Sequence, residues 1–255
     1  MDNTAMQIRS FDDRSKTRMW VLRYKLMFEH SIKSLKHINK DAPSIIDYGV
    51  CGGEILSEIK KVYPKSYAFG VDLVPDTVAT LKSMGIDGAV ANLEDSFLLK
   101  KKFDLALCGE IIEHLLLPDN MLYSINHNMN DNGYLILTFP NSTHIISIIM
   151  QWIFDLPPYL GARYRSIHIR EYTYRLVKLL LKAHGFKIVR RLGTDIPYLP
   201  TWMRVFSRVF PRLGRNIIIV AQKVAPPNKN LIDDTSIIPD VTHLVKFLKQ
   251  NKQWK

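Results

Sequence analysis

The sequence predicts an α/β fold built on a doubly wound, mostly parallel sheet of seven strands. Three observations carry this prediction. Five short apolar runs between residues 44 and 140 alternate with segments of helical periodicity. The first run ends in a glycine-rich turn, D-Y-G-V-C-G-G (47–53), just before a helical pattern. After residue 140 the rhythm changes, and two further runs, F-K-I-V-R-R-L and N-I-I-I-V-A-Q-K, close the pattern as a terminal β-hairpin.

The elements follow in order. Trp20, Tyr24, Met27, Phe28, Ile32 and Leu35 lie near helical spacing over 15–38, and Pro43 stops that helix. S-I-I-D-Y-G reads as a short buried strand, Glu54 to Val62 as a helix, and Y-A-F-G-V-D-L (67–73) as the second strand. Thr77 to Met84 is expected to be helical, and Gly88 to Ala91 a short strand. F-D-L-A-L-C (103–108) is the fourth strand, with helix from about Ile111 and again over 119–129. Asn130 to Gly133 is a turn signal, and Y-L-I-L-T-F-P (134–140) is the fifth strand. Strand–helix alternation of this kind implies a parallel sheet covered on both faces, with ligands bound beyond the carboxyl ends of the strands.

Residues 142–167 and 194–215 are expected to be caps on the domain. The first is a bulky apolar segment followed by Pro157–Pro158, Arg163 and Arg165. Glu171 to His184 reads as a helix ended by Gly185. The organisation expected is a helical extension over 1–40, the α/β domain over 41–224, and a Pro/Asn linker with a short helix near Val241–Leu248 over 225–255.

The chain has 255 residues, of which 47% are hydrophobic, enough for a packed core and against wholesale disorder. Two cysteines exclude a disulfide framework, and no Cys/His cluster has zinc-ligand spacing, so no metal is expected. The N-terminus lacks the apolar core of a signal peptide, and the longest apolar stretch, Ile145 to Phe154, is about half the length of a membrane span. A cytoplasmic location is the expectation. The net charge of +11 favours acidic partners, whether nucleic acid, phosphorylated substrates or an anionic membrane face; a merely solvated basic surface is the alternative.

Glycines in the 47–53 turn permit tight turning and close approach to a ligand at a helix N-terminus. Asp72 ends the next strand 23 residues after Gly49, where a carboxylate can accept both hydroxyls of a ribose. The dinucleotide fingerprint fails, because Cys51 and Glu54 stand where its second and third glycines belong.

Four stretches in order carry a resemblance: I-I-D-Y-G-V-C-G-G, G-V-D-L, F-D-L-A-L-C-G-E-I-I-E-H-L and N-D-N-G-Y-L-I-L-T-F-P-N, with H-I-R-E-Y-T and A-H-G-F further on. Over roughly residues 40–223 the chain resembles the class I S-adenosylmethionine-dependent methyltransferases, in their broad type 11/type 12 group. The resemblance implies the Rossmann-like methyltransferase sheet, with S-adenosyl-L-methionine as cofactor and S-adenosyl-L-homocysteine as product. It implies that Gly49 and Gly53 contact the methionine part, and that Asp47 orders the turn and approaches the amino group. Asp72 would bind the ribose, with Leu73 packing on adenine. Asn92 and Leu93 would stand beside the adenine, and Gly109 would line the sulfonium side. Two positions depart from the family's pattern: Cys51 replaces a glycine and is expected to need a negative φ, and Asn92 replaces an acid.

A hydroxyl acceptor gains from a general base, and histidine suits that role. His114, in E-I-I-E-H, and His168, in R-S-I-H-I-R-E-Y-T, are the candidates; the alternatives are helix packing for His114 and a helix-capping or surface role for His168. Glu110 and Glu113 could orient a base or bind the cofactor, or be surface carboxylates at a helix start. From these residues and the family's habit the expected reaction is O-methylation of a small-molecule, lipid or glycan acceptor. RNA or protein methylation, and a non-catalytic binding module, are the alternatives.

Between 201 and 213, Trp202, Val205, Phe206, Val209, Phe210 and Leu213 fall at helical spacing, with Arg204, Arg208 and Arg212 on the other side and Pro211 as a break. That segment (201–215) reads as a cap helix packing its stripe on the domain, as a contact with an anionic membrane, or as a lid over a phosphate.

Overall fold

The computed structural model describes residues 22–155, 168–196 and 204–232. Its seven strands are β1 (Ser44–Tyr48), β2 (Tyr67–Asp72), β3 (Asp87–Val90), β4 (Phe103–Gly109), β5 (Met129–Pro140), β6 (Phe186–Gly193) and β7 (Asn216–Lys223). They form one sheet in the order β3-β2-β1-β4-β5-β7-β6, parallel through β5, with β7 antiparallel to both β5 and β6. The helices are α1 (Leu22–Ile38), α2 (Glu54–Val62), α3 (Pro75–Ser83), α4 (Pro118–Asn128), α5 (Ile145–Phe154), α6 (Tyr174–Ala183) and α7 (Arg204–Val209).

Alternation along the central strands sorts the core into two layers. Ile45, Leu105, Leu107, Ile136 and Ile218 pack toward Leu26 and Leu35 of α1 and Leu56 and Ile59 of α2. Ile46, Ala106, Leu135, Leu137 and Ile219 face the other way, onto Met121 and Ile125 of α4 and Val177 and Leu181 of α6. Both faces are therefore covered, which is why these strands read as continuous apolar runs rather than alternating ones.

Boundaries moved where a cap or a bulge intervened. Helix α6 begins at Tyr174, because Thr173 caps it through a bond from Leu176 N–H at 3.2 Å. The capping role considered for His168 thus belongs to Thr173. The turn signal at 130–133 lies inside β5: the pairing with β4 jumps from Phe103–Met129 to Leu105–Tyr134, and Asn132 sits at φ 62°. A bulge absorbs what the sequence presented as a turn.

Near that bulge Asp104 ties three segments together. Its carboxylate accepts from Lys40 Nζ (2.5 Å), Ser44 N–H (2.9 Å), Ser44 Oγ (3.0 Å) and Asn130 Nδ2 (2.8 Å). These bonds outweigh burial and hold its pKa below the ordinary value. Its stabilisation is therefore present above the unfolded carboxylate range and fades as pH falls through the folded value. Asp104→Ala is expected to cost about 2–4 kcal/mol in urea unfolding, because Ser44 N–H and Asn130 lose a buried acceptor.

Beyond β7 and α5 some expectations lie outside the described residues: the start of the extension before Leu22, Pro157–Pro158, Arg163 and Arg165, Trp202, and the helix near Val241–Leu248. The stripe reading of 201–213 needs correction in the part that is described. Helix α7 stops at Val209, and a 3₁₀ turn starts at Pro211. Phe206, Val209 and Phe210 are exposed, while the small Ser207 is the residue turned inward, its Oγ 3.4 Å from Gly193 O. The stripe cannot pack as a whole because Pro211 ends the helix and Gly193 and Gly214 bring backbone too close for a large side chain.

Candidate cofactor pocket and active site

The strand order reverses between β1 and β4, and a pocket opens at their carboxyl ends. β1 supplies Asp47, and the turn after it Gly49, Val50 and Cys51; α2 supplies Glu54 and Ile55; Gly109 comes from the end of β4. Helix α1 lies along it, contributing Arg23, Tyr24 and Met27.

Gly49 adopts φ 70° and packs so closely on the next loop that a Cβ would lie 2.2 Å from Ile111 Cδ1. Gly53, at φ 72°, caps α2 without using a side chain. Cys51 also sits in the left-handed region, at φ 53°. The negative φ expected for it is not what forms. The reason is Asp72, whose Oδ2 accepts from Cys51 N–H at 2.9 Å while Oδ1 accepts from Val74 N–H at 3.0 Å. One carboxylate at the end of β2 thus fastens the glycine turn to the neighbouring strand.

Asp47 is buried under this turn. Burial first, then the nearby Asp72 and Glu54 carboxylates, pushes its pKa up to about 8. The Asp47 and Glu54 carboxyls and the Arg23 guanidinium line one pocket, with Asp72 behind the turn, and this set suits a ligand that carries both positive charge and a carboxylate. S-adenosylmethionine, with its ammonium, sulfonium, carboxylate and ribose, has that chemistry, so the residues present fit it.

The remaining cofactor candidates sit around this centre. Leu73 follows β2 directly. Leu93 is buried among Ile46, Val71 and Phe103. Asn92 Oδ1 accepts from Glu94 N–H at 3.1 Å, closing a local turn. Gly53, Asp72, Leu73, Asn92 and Leu93 do not line the pocket itself, whereas Asp47, Gly49 and Gly109 do.

Beyond β4, Glu110 takes φ 57° and accepts from Thr138 Oγ1 (2.9 Å) and Asn216 Nδ2 (2.6 Å), with Arg23 Nη1 at 3.0 Å. This network joins α1, β5 and β7 at the pocket's rim. A 3₁₀ turn over Ile112–His114 follows. It buries Glu113, 1% exposed, and brings His114 against His168, with ring centroids 4.7 Å apart and edge to face. Each imidazole Nε2 lies 3.9 Å from Glu113 Oε1. The two histidines singled out from the sequence, 54 positions apart, are neighbours. Glu113 is their shared partner rather than a surface carboxylate.

Other groups are structural. Cys108 is fully buried, 3.6 Å from Met121 Sδ, and burial raises its thiol well above the ordinary value, leaving it protonated and inert. His184 is buried and lies 2.8 Å from Asp119 Oδ1.

A family model described as "Methyltransferase domain" matches residues 19–191. The chain belongs to this methyltransferase family. No curated protein matches by sequence. Solved structures share the fold. One is the 1,6-didemethyltoxoflavin-N1-methyltransferase of Burkholderia thailandensis with bound S-adenosylhomocysteine: 14% identity, TM-score 0.61, 87% of each chain. An S-adenosylmethionine-dependent methyltransferase of Thermotoga maritima gives 14% identity and TM-score 0.57, over 87% of this chain and 100% of that one. A third, from Archaeoglobus fulgidus, gives 18% and 0.51 over 78% and 94%. At these identities the likeness is one of fold. The pocket lies at the carboxyl ends of β1 and β4, and Arg23, Tyr24, Met27 and Glu54 line it although the sequence did not offer them as ligand-binding residues. They sit outside any motif, and only the docking of α1 and α2 on the strand ends brings them in.

Proposed function

We propose that this methyltransferase moves a methyl group from S-adenosylmethionine to an oxygen of a small-molecule, lipid or glycan acceptor. The observation that carries the reading is the convergence of His114 and His168 on Glu113, on the same strand-end edge as the pocket. When bound, the cofactor supplies a methyl group already activated on a sulfonium. The protein's task is then alignment and removal of the acceptor proton. Asp72 would hold the ribose, Asp47 the amino group, and Gly49 and Gly53 the methionine part. Leu73, Asn92 and Leu93 would flank the adenine, with Gly109 beside the sulfonium. His114 and His168 would face the acceptor hydroxyl and take its proton.

Methyl-labelled cofactor incubated with lipid, glycan and small-molecule pools tests the reading. Label recovered as an O-methyl ether or ester, and lost in His114→Ala, supports it. Label on nitrogen, turnover on RNA with a steep salt dependence, or cofactor binding without turnover on any pool would overturn it.

The acceptor is proposed to be presented at an anionic membrane surface. Among the described residues no helix is long and apolar enough to cross a membrane. Helix α5, however, exposes Ile148, Ile149, Trp152 (87% exposed), Ile153 and Phe154. Its entry is bonded to the turn that carries two exposed arginines: Asn141 Nδ2 donates to Arg212 O and Gly214 O, and Asn141 N–H to Arg215 O. An apolar helix of about 15 Å beside arginines suits the headgroup boundary of anionic lipid. Co-sedimentation with phosphatidylglycerol vesicles, at least fivefold weaker on phosphatidylcholine and in Trp152→Ser, is the expected result. Equal binding to RNA and vesicles would count against it.

A further inference from the structure

We propose that Glu113, His114 and His168 form a binding site for one divalent transition-metal ion, which receives the acceptor's oxygen. This rests on the reading of the histidine pair as acceptor-facing, and it replaces direct proton uptake by a histidine with ligation. The three residues each offer one ligand atom, and these atoms all lie within 4.8 Å of one another. Metal–ligand bonds of about 2.0–2.2 Å set neighbouring ligand atoms about 3–3.5 Å apart, so the cluster closes on an ion by about an ångström of side-chain rotation.

The backbone holds the cluster together. Ile169 N–H and Arg170 N–H both donate to the Glu113 carbonyl, at 3.0 and 3.2 Å, so the chain carrying His168 is fastened to the residue it faces. Arg170 Nη2 adds a bond to Leu116 O at 2.6 Å, and Ser142 binds Tyr172 O through both N–H and Oγ. The segment 168–172 is thereby pinned on two sides, giving His168 a fixed position above a buried carboxylate. Glu110, three residues before Glu113, is engaged by Arg23, Thr138 and Asn216, so the donor set is two imidazoles and one carboxylate.

That set selects borderline divalent ions such as zinc, cobalt or iron(II) over calcium and magnesium, and three protein ligands leave coordination positions open. His168 is partly exposed while Glu113 and His114 are buried, so the open positions lie on the side of His168. A hydroxyl bound there becomes a stronger acid: its O–H bond breaks and the proton passes to solvent water. The oxygen's electron pair then forms the bond to the methyl carbon as the carbon–sulfur bond breaks, and the sulfonium becomes a neutral thioether.

The test uses the full chain stripped with a chelator and titrated with Co²⁺ and, separately, Zn²⁺, by visible absorption and calorimetry. One equivalent is expected to bind with visible cobalt bands. His168→Ala, checked for folding by circular dichroism, should bind at least tenfold more weakly. S-adenosylhomocysteine titration runs alongside. Cobalt binding without S-adenosylhomocysteine binding would sink the methyltransfer reading and leave the site standing. S-adenosylhomocysteine binding with no saturable cobalt or zinc binding, or with binding unchanged in His168→Ala, would overturn the site alone. Methyl transfer undiminished in chelator would show the histidine pair acting directly as base, and would remove the metal from the reaction.

Discussion

Asp72→Ala is expected to lose at least 100-fold in affinity for S-adenosylhomocysteine while keeping its secondary structure. Two losses add. The carboxylate that would accept the ribose hydroxyls goes, and so does the acceptor for Cys51 N–H and Val74 N–H. Cys51 holds a left-handed backbone that glycine adopts freely and cysteine does not. Without Asp72 the turn has little to keep it there, and the surface the ligand meets is no longer prepared. A hundredfold change is about 2.7 kcal/mol, in the range of one charge-assisted bond plus a buried donor left unsatisfied. Asp72→Asn keeps one acceptor oxygen and should fall between the two. Calorimetric titration of the three proteins checks the order, and an alanine variant binding within threefold of the parent would refute the role given to Asp72.

Ligand binding should also release a proton. Asp47 has its pKa pushed to about 8 by burial and by Asp72 and Glu54, so near pH 7 its carboxyl is mostly protonated in the ligand-free protein. An ammonium placed beside it, as in the role proposed for Asp47, would favour the ionised form. Binding near pH 7 is therefore expected to release up to about one proton, and affinity to rise up to about tenfold per pH unit until pH approaches about 8. Calorimetry in buffers of different ionisation heat counts the proton, and Asp47→Asn should flatten the pH slope. The stability effect has the opposite sign. The folded pKa lies above the unfolded one, so the contribution of the protonated carboxyl is complete below the unfolded value of about 3.8 and is lost as pH rises through about 8. The ligand-free melting temperature should fall across that window, and the ligand's stabilisation should grow. A pH-independent affinity between 6 and 8 would remove Asp47 from the amino-group site.

Much of this was legible in the chain because it depends on neighbours in sequence. Apolar runs such as Ile45–Ile46 and Leu105–Leu107 mark strands buried on both faces. The glycine turn and the acid ending the following strand mark a ligand edge. What escaped depended on distant partners. Cys51 was expected at negative φ because the cost of a side chain in the left-handed region is visible in one residue, whereas the Asp72 bond that holds it there spans 21 positions. The stripe over 201–213 followed helical spacing faithfully, yet Pro211 and the close glycines of the hairpin turned Ser207 inward instead.

By itself, the sequence determined the α/β class and the succession of strands and helices along the chain, since periodicity and turn chemistry are local properties; the methyltransferase family entered through the resemblance of its ordered motifs. Tertiary structure alone decided that Glu110 belongs to a rim network with Arg23, and that Glu113 lies buried between His114 and His168. Three side chains become a site only when a 3₁₀ turn after β4 and the segment before α6 are brought together by backbone hydrogen bonds, and no spacing along the chain encodes that approach.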